Sequence, residues 1–137
     1  MSKQDNIVAT QKFGEAANSG NFALFGEVVA PHCVDHDPAP GQDAGPEGFA
    51  QFFTSFRSAF PDLNIAVEHM VADDENVAFA YTVTGTHQGD FMGVPATGKH
   101  IEARGMQIAR FEDGKMVERW GSSDELGILQ QLGIEPV

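Results

Sequence analysis

Cysteine is almost absent from this chain. Cys33 stands alone among 137 residues, so no intramolecular disulfide can form. Cations are scarce as well: Lys and Arg number 8 against 20 Asp and Glu, a formal charge of −12. A chain this acidic is repelled by a phosphate backbone or an anionic bilayer, which excludes nucleic-acid and membrane-surface roles. No apolar run approaches the roughly 20 residues of a membrane span. The opening MSKQDNIVAT carries no apolar signal segment, so a cytoplasmic location is expected. Nucleotide-binding and nucleophile signatures are missing too. No Gly-x-Gly-x-x-Gly follows a strand, no phosphate loop ends in Gly-Lys-Ser/Thr, and no Gly-x-Ser-x-Gly elbow is present.

What is present is an ordinary globular composition, 42% hydrophobic and 20% charged, in one domain spanning residues 1–137. Residues 5–18 read as a first helix stopped by Asn18-Ser19-Gly20. Asn21 is placed to cap a second short helix that ends at Pro31. His32 to His36 is a short extended piece, and Asp37 to Pro46 a loop by its Pro and Gly content. The clearest helix follows. Phe49, Phe52, Phe53, Phe56 and Phe60 recur at helical spacing, Pro46 suits the first turn, and Pro61 closes the segment.

Beyond Pro61 the period becomes two. Ile65, Val67, His69 and Val71 share one face of a strand. Further strands are read at 77–87, 99–111 and 116–124, and a terminal helix at 125–132. Helices first and then a four-stranded antiparallel meander is an α+β order. The Phe-rich helix needs an apolar partner, and a sheet bent around it makes a cone with an interior pocket.

Several runs carry a family likeness. They are Phe60-Pro61-Asp62-Leu63, Thr84-Gly85-Thr86-His87-Gln88-Gly89, Gly93-Val94-Pro95-Ala96-Thr97-Gly98, Arg110 to Trp120, and Asp124-Glu125-Leu126-Gly127 with Leu129 to Gly133. In this order they resemble the SnoaL-like polyketide cyclase family of nuclear-transport-factor-2-like cone folds. The resemblance covers about His32 to Gly133. It implies cofactor-free acid/base chemistry, in which a carboxylate on the last strand serves an intramolecular aldol closure and an apolar pocket holds the enolate. That carboxylate maps to Asp124. The resemblance also implies a small hydrophobic molecule as partner and a homodimer formed through one sheet face. Relatives of the fold include hydrolases, isomerases and non-catalytic binders, so a binding module and a hydrolase or dehydratase are the competing readings.

Residue by residue, Asp124 is either the acid/base, lifted toward neutrality by an apolar cavity, or the N-cap of the helix that begins at Glu125. Trp120 shares its strand parity and would wall the pocket. His36 is read as an interior hydrogen-bonding or proton-moving group, or else as a structural histidine. With His32, Cys33, Asp35 and Asp37 it also suggests a metal, but strand alternation sends the two histidines one way and the other three the opposite way, so no metal is expected. Phe52 and Phe56 belong to the core and to the cavity wall. His87 sits at the pocket mouth beside a loop whose Phe91 and Met92 form a lid or a subunit contact, unless that stretch serves only backbone geometry. Arg104 and Gln107 have opposite parity, so at most one of them faces the pocket if no bulge intervenes.

Overall fold

A computed structural model describes residues 2–134. Helix α1 (Lys3–Ser19) starts two residues ahead of the expected residue 5, because Ser2 and Asp5 form a reciprocal capping box. It ends at Gly20, whose φ of 80° closes the turn. A 3₁₀ turn (Phe22–Leu24) and the four-residue α2 (Phe25–Val28) follow; Asn21 makes no side-chain cap. Pro31 falls inside a strand, β1 (Val29–Asp35), at the sheet edge where a missing N–H is tolerated. Helix α3 (Pro46–Ala59) carries the Phe residues. Phe13, Phe25, Phe49 and Phe53 interlock with ring centroids 5.0–6.3 Å apart. Each such ring contributes about 1.5–3 kcal/mol on leaving water.

Strands β2 (Asn64–Ala72), β3 (Asn76–Thr86), β4 (His100–Glu112) and β5 (Lys115–Ser123) form the expected meander, and α4 (Glu125–Gln131) closes the described chain. The sheet has a fifth member. β1 pairs parallel with β5, giving the order β1-β5-β4-β3-β2. The alternation of β4 defines two faces. Ile101, Ala103, Gly105, Gln107, Ala109 and Phe111 are buried toward the helices, while Glu102, Met106 and Ile108 are exposed on the convex side.

Two irregularities invert this alternation. In β5, Phe111 opposes Met116 but Arg110 opposes Glu118, so Val117 is an extra residue and both Met116 and Val117 are buried. Beyond that bulge Glu118 and Trp120 face outward and Arg119 and Gly121 inward. In β2 the register shifts between Val67 and His69. His69 and Val71 therefore part from Ile65 and Val67, and both are exposed.

Two side-chain amides finish the sheet. Asn18 exchanges two hydrogen bonds with the backbone of Ile65 (2.7 and 3.0 Å), and Gln131 does the same with Glu102 (2.8 and 2.9 Å). Arg57 of α3 donates to the carbonyls of Ala17 and Asn18 at the end of α1. Among the described residues no helix is long and apolar enough to cross a membrane.

Candidate active site

The β5 bulge decides which side chains meet. Asp124 and Trp120 do share parity, and it is the convex parity. Asp124 is exposed and caps α4, its Oδ1 accepting from Gly127 N at 2.8 Å. Its carboxylate borders a surface cleft of about 380 Å³ with Glu68, Thr82, Glu102, Ala103 and Arg104, a polar setting rather than an apolar hollow. Arg104 thus faces outward. His36 lies on the same side, its ring stacked on Trp120 at 4.7 Å and its Nε2 2.9 Å from Glu118. Trp120 is 38% exposed. The acid/base pair and aromatic wall expected inside the cone are therefore outside it, because one inserted residue reversed every position after Val117.

Of Arg104 and Gln107, it is Gln107 that faces inward. Phe79 and Gly121 lie opposite it on β3 and β5. Arg119 Nε donates to Gln107 Oε1 at 2.7 Å. The Arg119 guanidinium also clasps Asp35, with Nη1 3.0 and 3.2 Å from the two carboxylate oxygens. Asp35 accepts further from its neighbour Asp37 N (2.9 Å) and from Gln42 Nε2 (3.1 Å). Its roughly four acceptor positions are then all in use. Gln107 is buried, and its Nε2 has no protein partner. Leaving such a donor unpaired costs about 1–3 kcal/mol, which marks the position as one retained for something other than stability.

Tyr81 stands one row away, opposite Gly105. A Cβ at Gly105 would overlap its hydroxyl, and one at Gly121 would overlap the Arg119 guanidinium, so a side chain at either position would displace that group. Burial pushes the Tyr81 phenol above its usual range, with Arg119 and the Ser123 hydroxyl opposing and the charge of Glu125 adding to the rise. The Tyr81 hydroxyl carries a proton at neutral pH, as a phenol ordinarily does, and is able to donate it. Val67 opposes Tyr81 and the half-buried Phe79 opposes Gln107, while Phe52 (37% exposed) and the half-buried Phe56 of α3 pack on each other with centroids 5.5 Å apart.

His87 is wholly buried rather than at a mouth. Its Nδ1 lies 3.1 Å from Thr97 N and 3.0 Å from Thr97 Oγ1, which ties down the end of the 88–98 loop. Phe91 of that loop packs on Phe56 and Phe60, with centroids 5.9 and 5.3 Å away, while Met92 projects outward. Cys33 is buried beneath Asp35, and burial lifts its thiol to about 11. Among the described residues no three His, Cys, Asp or Glu side chains gather as a metal-ligand set.

Asp35, Arg119, Tyr81 and Gln42 were not singled out as site residues from sequence. One signal was available: Gln107 lies among Ala103, Gly105 and Ala109, neighbours too small to fill the space beside it.

A curved sheet wrapped round helices, with a buried polar cluster on its concave face, defines a class of small α+β cone folds, and comparison with known proteins narrows it. The profile of the SnoaL-like polyketide cyclase family matches residues 7–132. The aklanonic acid methyl ester cyclase DauD of Streptomyces sp. (strain C5) is 31% identical, over 97% of this chain and 83% of its own. The nogalonic acid methyl ester cyclase of Streptomyces nogalater is 30% identical, over 86% and 90%. The crystal structure of IdmH from Streptomyces antibioticus superposes with a TM-score of 0.82 at 33% identity, covering 94% of this chain and 99% of that one. The chain belongs to the SnoaL-like polyketide cyclase family, with the cone fold of that family, and it is an enzyme of the cyclase type.

Proposed function

We propose that the chain closes a ring in a hydrophobic, polyketide-type carbonyl compound by an intramolecular aldol step or a related isomerisation, with the substrate on the concave face. Family membership supports the reaction class. The observation that carries the location is the unpartnered, buried Gln107 amide, one row along the sheet from Tyr81. Aldol closure removes a proton next to a carbonyl and moves negative charge onto oxygen, first in the enolate and then in the new alkoxide. Donors fixed in advance and screened from water stabilise that charge. Gln107 Nε2 and the Tyr81 hydroxyl are such donors, and Phe52, Phe56 and Phe79 supply the apolar surround. The base that takes the carbon-bound proton returns it to the new alkoxide, so the closure needs no further co-reactant.

The test separates the two faces. With a methyl ester of a polyketide-derived acid as substrate, Gln107→Leu is expected to lose about 100-fold or more in kcat, and Asp124→Asn, which keeps the cap, to stay near the parent. The opposite result moves the reaction to the cleft at Asp124 and overturns this reading. The homodimer belongs to the same proposal. Trp120, Ile108, Ala78 and Val71 form one row across four strands of the convex face. Glu102 and Arg104 flank it at one end and Arg110 and Glu118 at the other. Both ends carry both signs, so a second copy turned end for end meets an opposite charge at either one. Sedimentation of Ile108→Asp tests this: a dimer that survives the substitution rules the face out.

A further inference from the structure

We infer that Asp35 is a positioning residue that makes Gln107 a one-sided donor, so that the site takes an acceptor oxygen, most strongly one bearing negative charge. This rests on the concave-face reading above and goes further, because it names the atom that is recognised and the residue that enforces the choice.

A side-chain amide ordinarily offers an acceptor at one end and a donor at the other, and rotation by half a turn exchanges them. At Gln107 that exchange is blocked. Arg119 has no acceptor, so only Oε1 can face its Nε–H at 2.7 Å. A flip would set N–H against N–H. Arg119 cannot move aside, because Asp35 holds its Nη1 with both carboxylate oxygens. Asp35 is held in turn by Asp37 N and by Gln42 Nε2. Gln42 is itself orientated, since its Oε1 accepts from Ala39 N at 3.1 Å. The chain Gln42–Asp35–Arg119 thus runs from the loop after β1 across β5 and ends on Gln107. Every member before the last has its orientation fixed by a partner. The last presents two N–H groups, buried and unpaired.

A substrate group that can only donate finds no partner there. A ketone oxygen finds one, and an enolate or phenolate oxygen finds a stronger one, because a hydrogen bond to an ionised acceptor is roughly twice as strong. The site thereby distinguishes protonation states of the same molecule.

The full chain can be probed with 4-nitrophenol, whose neutral and ionised forms differ in absorbance, so that no turnover is needed. The parent protein is expected to bind the phenolate about tenfold more tightly than the phenol, seen as a fall of about one unit in the bound probe's apparent pKa. Gln107→Leu should remove that preference. Gln107→Glu keeps an oxygen on Arg119 and replaces the donor by an acceptor, so it should reverse it. Asp35→Asn should weaken the preference by about the same factor as Gln107→Leu, with no further loss in the double variant. Asp35→Glu should restore part of it.

Circular dichroism checks that each variant is folded. A parent protein that binds neither form or favours the phenol, or a Gln107→Glu protein that still favours the phenolate, overturns the donor assignment. A folded Asp35→Asn protein with the full preference overturns the positioning role; should that variant not fold, the Gln107→Glu result still decides the donor. Phenolate preference in a protein that closes no ring leaves this inference standing and defeats the cyclase reading alone.

Discussion

The two faces of the sheet each hold an arginine between a carboxylate and a third partner, and the two clusters differ in nearly everything else. On the convex side Arg110 contacts Glu118 and Glu112 at 2.8 Å, and Glu118 reaches His36. All four are at least partly exposed, and solvent screening leaves such pairs little net energy. On the concave side Arg119, Asp35 and Gln107 are 17%, 9% and 4% exposed. There desolvation is expensive, and removing one partner strands the others. Similar residue types therefore give a tolerant surface patch on one side and a rigid fixture on the other. Burial decides which is which.

The largest expected break in this contrast is Arg119→Leu. It leaves the Asp35 carboxylate buried without its counter-charge, and urea denaturation should show a loss of about 3–5 kcal/mol. Arg110→Leu, its convex counterpart, should leave the urea midpoint unchanged. An equal loss in both would erase the distinction. Titration sharpens it from another side. The Cys33 thiol is raised to about 11, so the stability it contributes is complete below its ordinary value of about 9 and is lost as the pH rises toward 11. Two units correspond to about 2–3 kcal/mol. Unfolding at pH 8 and at pH 10.5 should show the fall, and Cys33→Ala should flatten it.

Glu118 has the opposite sign. The His36 ring and then Arg110 hold its carboxyl below the ordinary range, so its contribution is present above about 4.5 and disappears as the pH falls. Acid unfolding of Glu118→Gln should lack that small component. Between these in size lies the helix cap. Asp124→Ala should cost about 1 kcal/mol, whereas Asp124→Asn should cost far less. Equal losses would mean that the charge of Asp124 matters beyond the cap.

Much of the architecture was legible. The Phe spacing of α3, the alternation of β4 and the acidic turns at 73–76 and 112–115 are local patterns, and local patterns survive translation into structure. The parallel pairing of β1 with β5 was not legible, because nothing near His32 names a strand more than 80 residues away. The site suffered most from a single insertion. Reading β5 as unbroken alternation from Met116 puts Glu118, Trp120 and Asp124 on the buried side; the bulge at Val117 transfers that set to the outside and brings Arg119 and Gly121 in. Consecutive buried residues are the only sign of it, and Met116-Val117 reads equally well as ordinary apolar sequence. Asp35 was visible within its cluster, yet its partner, 84 residues on, was not.

The amides of Asn18 and Gln131 bond to backbone positions where the sheet runs out of strands. At Ile65 and Glu102 a helix thus occupies the place a foreign chain would take in lengthening the sheet sideways. Self-association by strand addition at those margins must first dislodge α1 or α4, which makes each helix a stopper against aggregation as well as a lid on the core.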